Sequence, residues 1–244
     1  MALSQGNNDV GKELRAAFEL DPRVDLHKYP IHVVPNGKGL TLEGEVENIA
    51  AKRVAMQLAR RVCGLDQVID ALRLVPTEPR GDGEICDAFS RSLLAQPELR
   101  NATIRQHRKG RLETLHETDD DEPSATIAFA VAEGELTLAG EVLSLSHKRV
   151  IEALGWWTPG CRNVVNKLEV KPAEEDNDDE LADAIRLVFE MDPMVHAEQI
   201  GIHIADGEVT LSGILTREEE RRLAEMDAWS VWGVKDVHNE IKLT

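Results

Sequence analysis

Leu40-Thr41-Leu42-Glu43-Gly44, Leu136-Thr137-Leu138-Ala139-Gly140 and Val209-Thr210-Leu211-Ser212-Gly213 are three versions of one pentapeptide. A second glycine stands twenty residues beyond each first one, at Gly64, Gly160 and Gly233. Four residues further on comes Val68, Val164 or Val237, then Leu72, Leu168 or Ile241, then Leu74, Val170 or Leu243. The match runs without a gap, so the chain is a threefold repeat, and a repeat read from self-similarity fixes architecture before any single element does.

Working upstream, Pro22, Pro97 and Pro193 each close a helical pattern. Proline ends a helix because its ring costs a backbone hydrogen bond. The apolar trios before them are Val10/Leu14/Phe18, Ile85/Phe89/Leu93 and Leu181/Ile185/Phe189. Their i, i+4, i+8 spacing puts each trio on one helix face. Between proline and first glycine lies a hairpin. Ile200, Ile202 and Ile204 alternate with polar or small residues and turn at Asp206-Gly207; Ile127, Phe129 and Val131 turn at Glu133-Gly134; Ile31 and Val33 turn at Asn36-Gly37-Lys38-Gly39. A two-residue period is that of a half-buried strand, and glycine supplies the positive φ of a tight turn.

Downstream of the hairpin, Asn48, Ser144 and Thr216 are placed as N-caps, with a capping box in Thr216-Arg-Glu-Glu219. The second helices bury Val54/Leu58/Val62, Val150/Leu154 and Leu223/Met226 by this reading. The second glycine stops each helix and a last strand closes the unit. The expected fold class is α/β (α+β): three tandem α-β-β-α-β repeats, each with two helices packed on one face of a small three-stranded mixed sheet. The repeats span 9–76, 82–171 and 178–244. Units this small sit near the lower limit for a self-sufficient core, so the repeats are expected to pack on one another or on another copy.

The defining residues are also those of a known module. The pattern [Leu/Val]-Thr-Leu-x-Gly, a Lys/Arg-Arg pair on a helix, then Gly-x-x-x-Val-x-Asn-x-Leu, resembles the BON domain of bacterial osmotic-stress and nodulation proteins. Its tails here are Gly160-Cys-Arg-Asn-Val164-Val-Asn166-Lys-Leu168 and Gly233-Val-Lys-Asp-Val237-His-Asn239-Glu-Ile241, with Asp70 replacing the Asn in repeat 1. The resemblance implies a module without enzymatic activity, associated with phospholipid surfaces, envelope integrity and osmotic stress, or serving as an accessory domain. It also implies frequent export. The polar start, Met1 to Asp9, reads instead as carrying no secretory signal. No apolar run approaches the roughly 18–20 residues that span a bilayer. Cys63, Cys86 and Cys161 are odd in number and form no CxxC. The expected compartment is therefore the reducing cytoplasm, with peripheral membrane contact left open.

The 244 residues carry 28 Lys+Arg against 45 Asp+Glu, net −17. Such a balance excludes a general nucleic-acid binder, which needs a basic surface to neutralise phosphates. By segment the net charge is −1 over residues 1–78, −3 over 79–171 and −13 over 172–244. The acidity thus belongs to repeat 3, where Glu174-Glu175-Asp176-Asn177-Asp178-Asp179-Glu180 reads as a linker. Repeats 1 and 2 are neutral enough to lie near a phosphate surface, while repeat 3 suits a basic partner.

Three sets of residues are candidates for contact. A basic pair recurs on each second helix: Lys52-Arg53, Lys148-Arg149 and Arg221-Arg222. Guanidinium forks suit phosphate or an acidic partner, and a solvated helix face is the plainer alternative. Repeat 2 carries an insertion near 98–124, basic first (Arg100, Arg105, Arg108, Lys109, Arg111) and acidic after (Glu117, Asp119, Asp120, Asp121, Glu122), which reads as a mobile, self-compensating charged loop. Trp156, Trp157, Trp229 and Trp232 gather at the ends of second helices. They suit an interface or packing between repeats. Trp156 and Trp229 are equivalent, and repeat 1 has Arg60 there.

The eight histidines, His32, His107, His116 and His203 among them, show no metal-ligand spacing, and Asp119–Glu122 lacks that of a calcium loop. The cysteines read as small buried hydrophobes. No GxGxxG or Walker pattern occurs. No catalytic, cofactor or metal residue is assigned. The functional expectation is a non-enzymatic interaction scaffold, phospholipid- or envelope-associated and linked to osmotic or envelope stress. A cytoplasmic protein-protein adaptor is the alternative, and a small-ligand sensor using a cleft between repeats the distant one. Partners are a protein or a phospholipid surface, with a homo-oligomer open.

Overall fold

A computed structural model describes residues 2–37, 39–64, 68–118 and 125–244. Lys38 of the first turn and Asp119, Asp120, Asp121 and Glu122 of the insertion lie outside the described residues. Repeat 1 is α1 (Ala2–Leu20), β1 (Ile31–Pro35), β2 (Leu40–Val46), α2 (Ile49–Cys63) and β3 (Val68–Leu74). Repeat 2 is α3 (Asp82–Leu94), a hairpin β4 (Ala102–Arg108) and β5 (Arg111–His116), then β6 (Ala125–Ala132), β7 (Glu135–Val142), α4 (Leu145–Trp157) and β8 (Asn163–Val170). Repeat 3 is α5 (Asp178–Met191), β9 (Ile200–Ala205), β10 (Glu208–Leu215), α6 (Glu218–Ser230), β11 (Asp236–Asn239) and β12 (Lys242–Leu243). The chain divides into two compact units, residues 1–75 and 76–244, so repeats 2 and 3 form one body.

In every repeat the strand carrying the pentapeptide pairs antiparallel with the strand before it and parallel with the strand after the helix. The two-residue turns form as the glycines require. Glu133 and Gly134 have φ 54° and 75°, and Asp206 and Gly207 have 53° and 79°. Both central residues at positive φ make the mirror-image turn that suits the twist of a hairpin. The first residue of the preceding helix holds each turn. Glu133 and Gly134 donate their backbone N–H groups to Asp82 at 3.0 and 2.9 Å, and Asp206 and Gly207 donate theirs to Asp178 at 2.7 and 2.9 Å.

The pentapeptide glycine is required by a close approach. Gly44, Gly140 and Gly213 have φ 134°, 127° and 140°. A Cβ at these places would stand 2.4 Å from the carbonyl oxygen of Pro30, 1.9 Å from that of Thr126 and 2.2 Å from that of Gln199. Each oxygen is backbone at the entry to the neighbouring strand and has no side-chain freedom to yield.

The helix trios face the cores as their spacing predicts, save that Val10 is only half-buried. Ile85, Phe89, Leu93, Ile185 and Phe189 are fully buried, and Phe89 meets Phe129 edge to face with ring centroids 5.0 Å apart. Asn48 and Ser144 cap α2 and α4, accepting from Ala51 and His147 N–H. Two local expectations fail on α6. Thr216 is not the cap: Arg217 holds that place without a side-chain bond, because the helix starts one residue later. Leu223 and Met226, like Leu58 and Val62 of α2, are only half-buried, and on α6 Ala224, Asp227, Ala228 and Trp229 form the covered face instead. An acidic residue on that face disguised it.

The insertion of repeat 2 also departs from its reading as a loop. Residues 102–116 form the β4–β5 hairpin, which widens the sheet to five strands in the order β5-β4-β6-β7-β8. β4 runs parallel to β6 from Ala102↔Ala125 to His107↔Ala130. Ala102 and Ile104 are fully buried by it. Apolar burial and a complete ladder outweigh the charge on its outer positions.

Gly140→Ala is expected to destabilise the chain by at least about 2 kcal/mol, since positive-φ strain and a backbone clash add. Gly83→Ala, on a helix whose Cβ position is open except for one arginine at 3.7 Å, should shift the midpoint far less. Urea unfolding followed by circular dichroism compares the two.

Candidate functional site

The first residue of each basic pair is tied to the last strand of its repeat. Asn166 donates its amide to the Lys148 carbonyl (3.2 Å) and the Glu152 carboxylate (3.0 Å), and accepts from Leu168 N–H. Asn239 does the same with the Arg221 carbonyl (2.9 Å), Glu225 (3.1 Å) and Ile241 N–H. In repeat 1 the equivalent residue is Asp70, which has no proton to donate when ionised. There Met56 stands where repeats 2 and 3 have Glu152 and Glu225. Lys52 turns inward to supply the donors, with Nζ 2.7 Å from Asp70 and 2.6 Å from the Leu72 carbonyl. Its side chain is 6% exposed. Lys52 is therefore a structural cation and not a surface contact. Met56 and Asp70 are visible in the sequence as a joint departure from the Glu and Asn of the other two repeats.

The second residue of the pair has three fates. Arg222 is exposed and Arg53 is half-buried. Arg149 is 1% exposed, because repeat 3 packs over it. Its Nε donates to the Trp232 carbonyl at 2.9 Å and its Nη2 to Asp176 at 2.5 Å. Its guanidinium lies over the Trp232 ring, 5.6 Å from the centroid, with Lys148 5.8 Å from the same ring. Arg149 thus joins repeat 2 to repeat 3. The acidic run read as a linker works as a clasp at this junction. Glu174 accepts from Leu145 N–H at the start of α4, Asp176 binds Arg149, Asn177 caps α5 and Asp178 holds the β9–β10 turn.

The tryptophans divide likewise. Trp229 is fully buried and Trp232 is 46% exposed. Trp156 and Trp157 are half-buried, Trp156 donating to Glu152 and Trp157 packing on the repeat 2 core with Met191 of α5. Close to Trp157 is a group that sequence reasoning missed. Asp227 of α6 is 3% exposed. Burial pushes its carboxyl up to about 8, the charge and hydrogen bonding of Asp192 add to the rise, and the Trp157 indole N–H works against it. Burial thus favours its neutral form, and it sits at the junction of the two repeats.

On the hairpin, Arg108 pairs with Asp87 at 2.8 Å and is half-buried, as is Arg105, whereas Lys109 and Arg111 at the tip are exposed. Arg221 is bound by Glu218 at 2.8 Å. Among the described residues no group of three or more His, Cys, Asp or Glu could hold a metal, and no helix is long and apolar enough to cross a membrane. Burial raises the thiols of Cys63, Cys86 and Cys161, the last to about 11, so they are poor nucleophiles. A shallow cavity of about 300 Å³ lies within repeat 1, lined by Arg15, Phe18, Leu26, Pro30, Ile31 and His32 among others. It is not a cleft between repeats.

The family model of the BON domain matches residues 7–76, 111–172 and 177–244. The second match begins at β5 and leaves out α3 and β4. No curated protein matches the chain. Among solved structures, the C-terminal domain of CdsD, the structural protein of the type III secretion system of Chlamydia trachomatis, is 13% identical, covering 97% of this chain and 98% of that one with a TM-score of 0.25. The PrgH periplasmic domain is 13% identical, covering 88% and 95% with a TM-score of 0.23.

Arg149→Ala should cost about 2 kcal/mol or more, since it removes a buried donor set, while Arg222→Ala at the equivalent exposed position should stay within about 0.5 kcal/mol. Denaturant midpoints decide it. Asp227→Asn carries a pH signature. The folded pKa of Asp227 lies above the unfolded value, so the unfolded state loses its proton first and native stability falls as pH rises from about 4 to about 8. The variant lacks that slope, up to about 1.4 kcal/mol per pH unit. Its advantage in melting temperature should grow across that window and level off above it.

Proposed function

The chain belongs to the BON domain family, and on that premise we propose that it is a non-enzymatic scaffold whose fused repeats 2 and 3 bind a protein partner on their sheet side. The observation that carries this reading is the fate of the basic residues. A phosphate-binding row along the second helices would need them free and aligned. Lys52 and Arg149 are instead inside the fold, Arg221 is neutralised by Glu218, and Lys148 lies over Trp232. The helix side of repeats 2 and 3 is occupied by the junction itself.

The face this reading gives to a partner is the opposite side of the five-stranded sheet. Thr126, Ala128 and Ala130 of β6 and Thr137 and Ala139 of β7 alternate with buried core residues and are half-buried. Small side chains make a flat floor, and flat floors suit another protein's surface better than a small molecule, which needs a concave site. The family's link to envelopes and phospholipid enters here as a rival for the same protein. Its remaining support is the exposed hairpin tip, Lys109 and Arg111.

Two measurements on the full chain separate these readings. Photo-crosslinking residues at Ala128 and Thr137 should yield protein adducts in cells, and the same group at Arg222 should yield none. In co-sedimentation with phosphatidylglycerol-containing vesicles at physiological salt, a chain of net −17 should stay in the supernatant. Pelleting that disappears in the Lys109→Glu/Arg111→Glu double variant would overturn the reading in favour of a lipid surface.

A further inference from the structure

β5 is an edge strand of the five-stranded sheet. Arg111, Leu112, Glu113 and Thr114 are four successive exposed residues within it, and Leu112 is 50% exposed. Lys109 and Gly110 form a two-residue turn with φ 51° and 77°, and the register pairs Arg108 with Arg111 and Gln106 with Glu113. Flanking residues of such a turn exchange both backbone bonds, and the exchange alternates along an antiparallel pair. Arg111 and Glu113 therefore face β4, and Leu112 and Thr114 turn their N–H and C=O groups outward. Among the described residues no strand pairs with this edge, which is an open template for one more strand.

The charge along β5 says which strand fits. It runs from basic to acidic, Arg111 before Glu113, with Lys109 in the turn before the strand and Glu117 just after it. A strand of this polarity is complementary to itself when reversed. We infer that two copies of the chain pair through β5, antiparallel about a twofold axis at Leu112. Leu112 then exchanges both backbone bonds with the partner copy's Leu112, and their half-exposed side chains meet across the axis. Arg111 stands opposite the partner's Glu113, and Glu113 opposite the partner's Arg111. These are the pairs without backbone bonds, in which side chains come closest. The interface is isologous and closes at two copies. Only about six residues a side take part, so the dimer is weak and salt-sensitive. This inference does not depend on the partner surface proposed above, which lies on the sheet floor and not on its edge.

Sedimentation equilibrium of the full chain over a wide concentration range tests it. A monomer–dimer equilibrium is expected. Arg111→Glu places two Glu–Glu pairs at the axis, and Glu113→Arg two Arg–Arg pairs. Each should weaken the dimer by roughly ten-fold or more. An equimolar mixture of the two variants restores both Arg–Glu pairs, so it should dimerise where neither does alone. A merely structural role for either residue would give no such rescue. Leu112→Pro, which removes the central donor, should abolish association. A chain that stays monomeric at every concentration, or a mixture without rescue, overturns the proposal.

Discussion

In each repeat a carbonyl oxygen of the chain entering the first strand stands where a β-carbon would lie on the second. The approach at Gly44, Gly140 and Gly213 is closer than any side chain permits. It brings the first strand tight against the second at the end where the helix leaves. From there the register of the hairpin, the start of the second helix and the parallel return of the last strand follow. A one-residue slip would move the glycine away from the oxygen and turn every core residue outward.

Above that shared frame the repeats diverge by what is packed upon them. The position of Arg149 recurs in all three, and in repeat 2 the following repeat covers it. The same arginine type is a buried strut in one copy and a solvated charge in the last. The acidic run before α5 belongs to the same junction, each of four side chains holding a different backbone or guanidinium group. Repeat 3 is therefore acidic partly because its entry has work to do, and not only as a surface.

The pentapeptides, the trio faces and the hairpin turns were legible because period, proline and glycine all carry local geometric requirements. The β4–β5 hairpin was not, although its signal was present: Thr103, Arg105 and His107 alternate with Ala102, Ile104 and Gln106, and Lys109-Gly110 is a turn dipeptide. Blocks of opposite charge masked a period of two. The buried face of α6 was missed because Asp227 has an acidic letter but is buried, where desolvation favours its neutral form. The roles of Lys52 and Arg149 depend on contacts eighteen and more residues away, which a motif on one helix does not encode.

The exchange of Met56 and Asp70 for Glu152 and Asn166, with a lysine at 52 and 148 alike, bears on how such a chain can change. The second helix and the last strand of each repeat are matched to each other. Recombination between repeats with a breakpoint between α2 and β3 would join an inward lysine to an asparagine that already has its own donors, or leave a glutamate facing an aspartate. Exchange that carries helix and strand together keeps the match. Duplication of whole repeats thus keeps the match, as does exchange between repeats 2 and 3, which share the Glu/Asn pair, whereas shuffling of halves with repeat 1 breaks it.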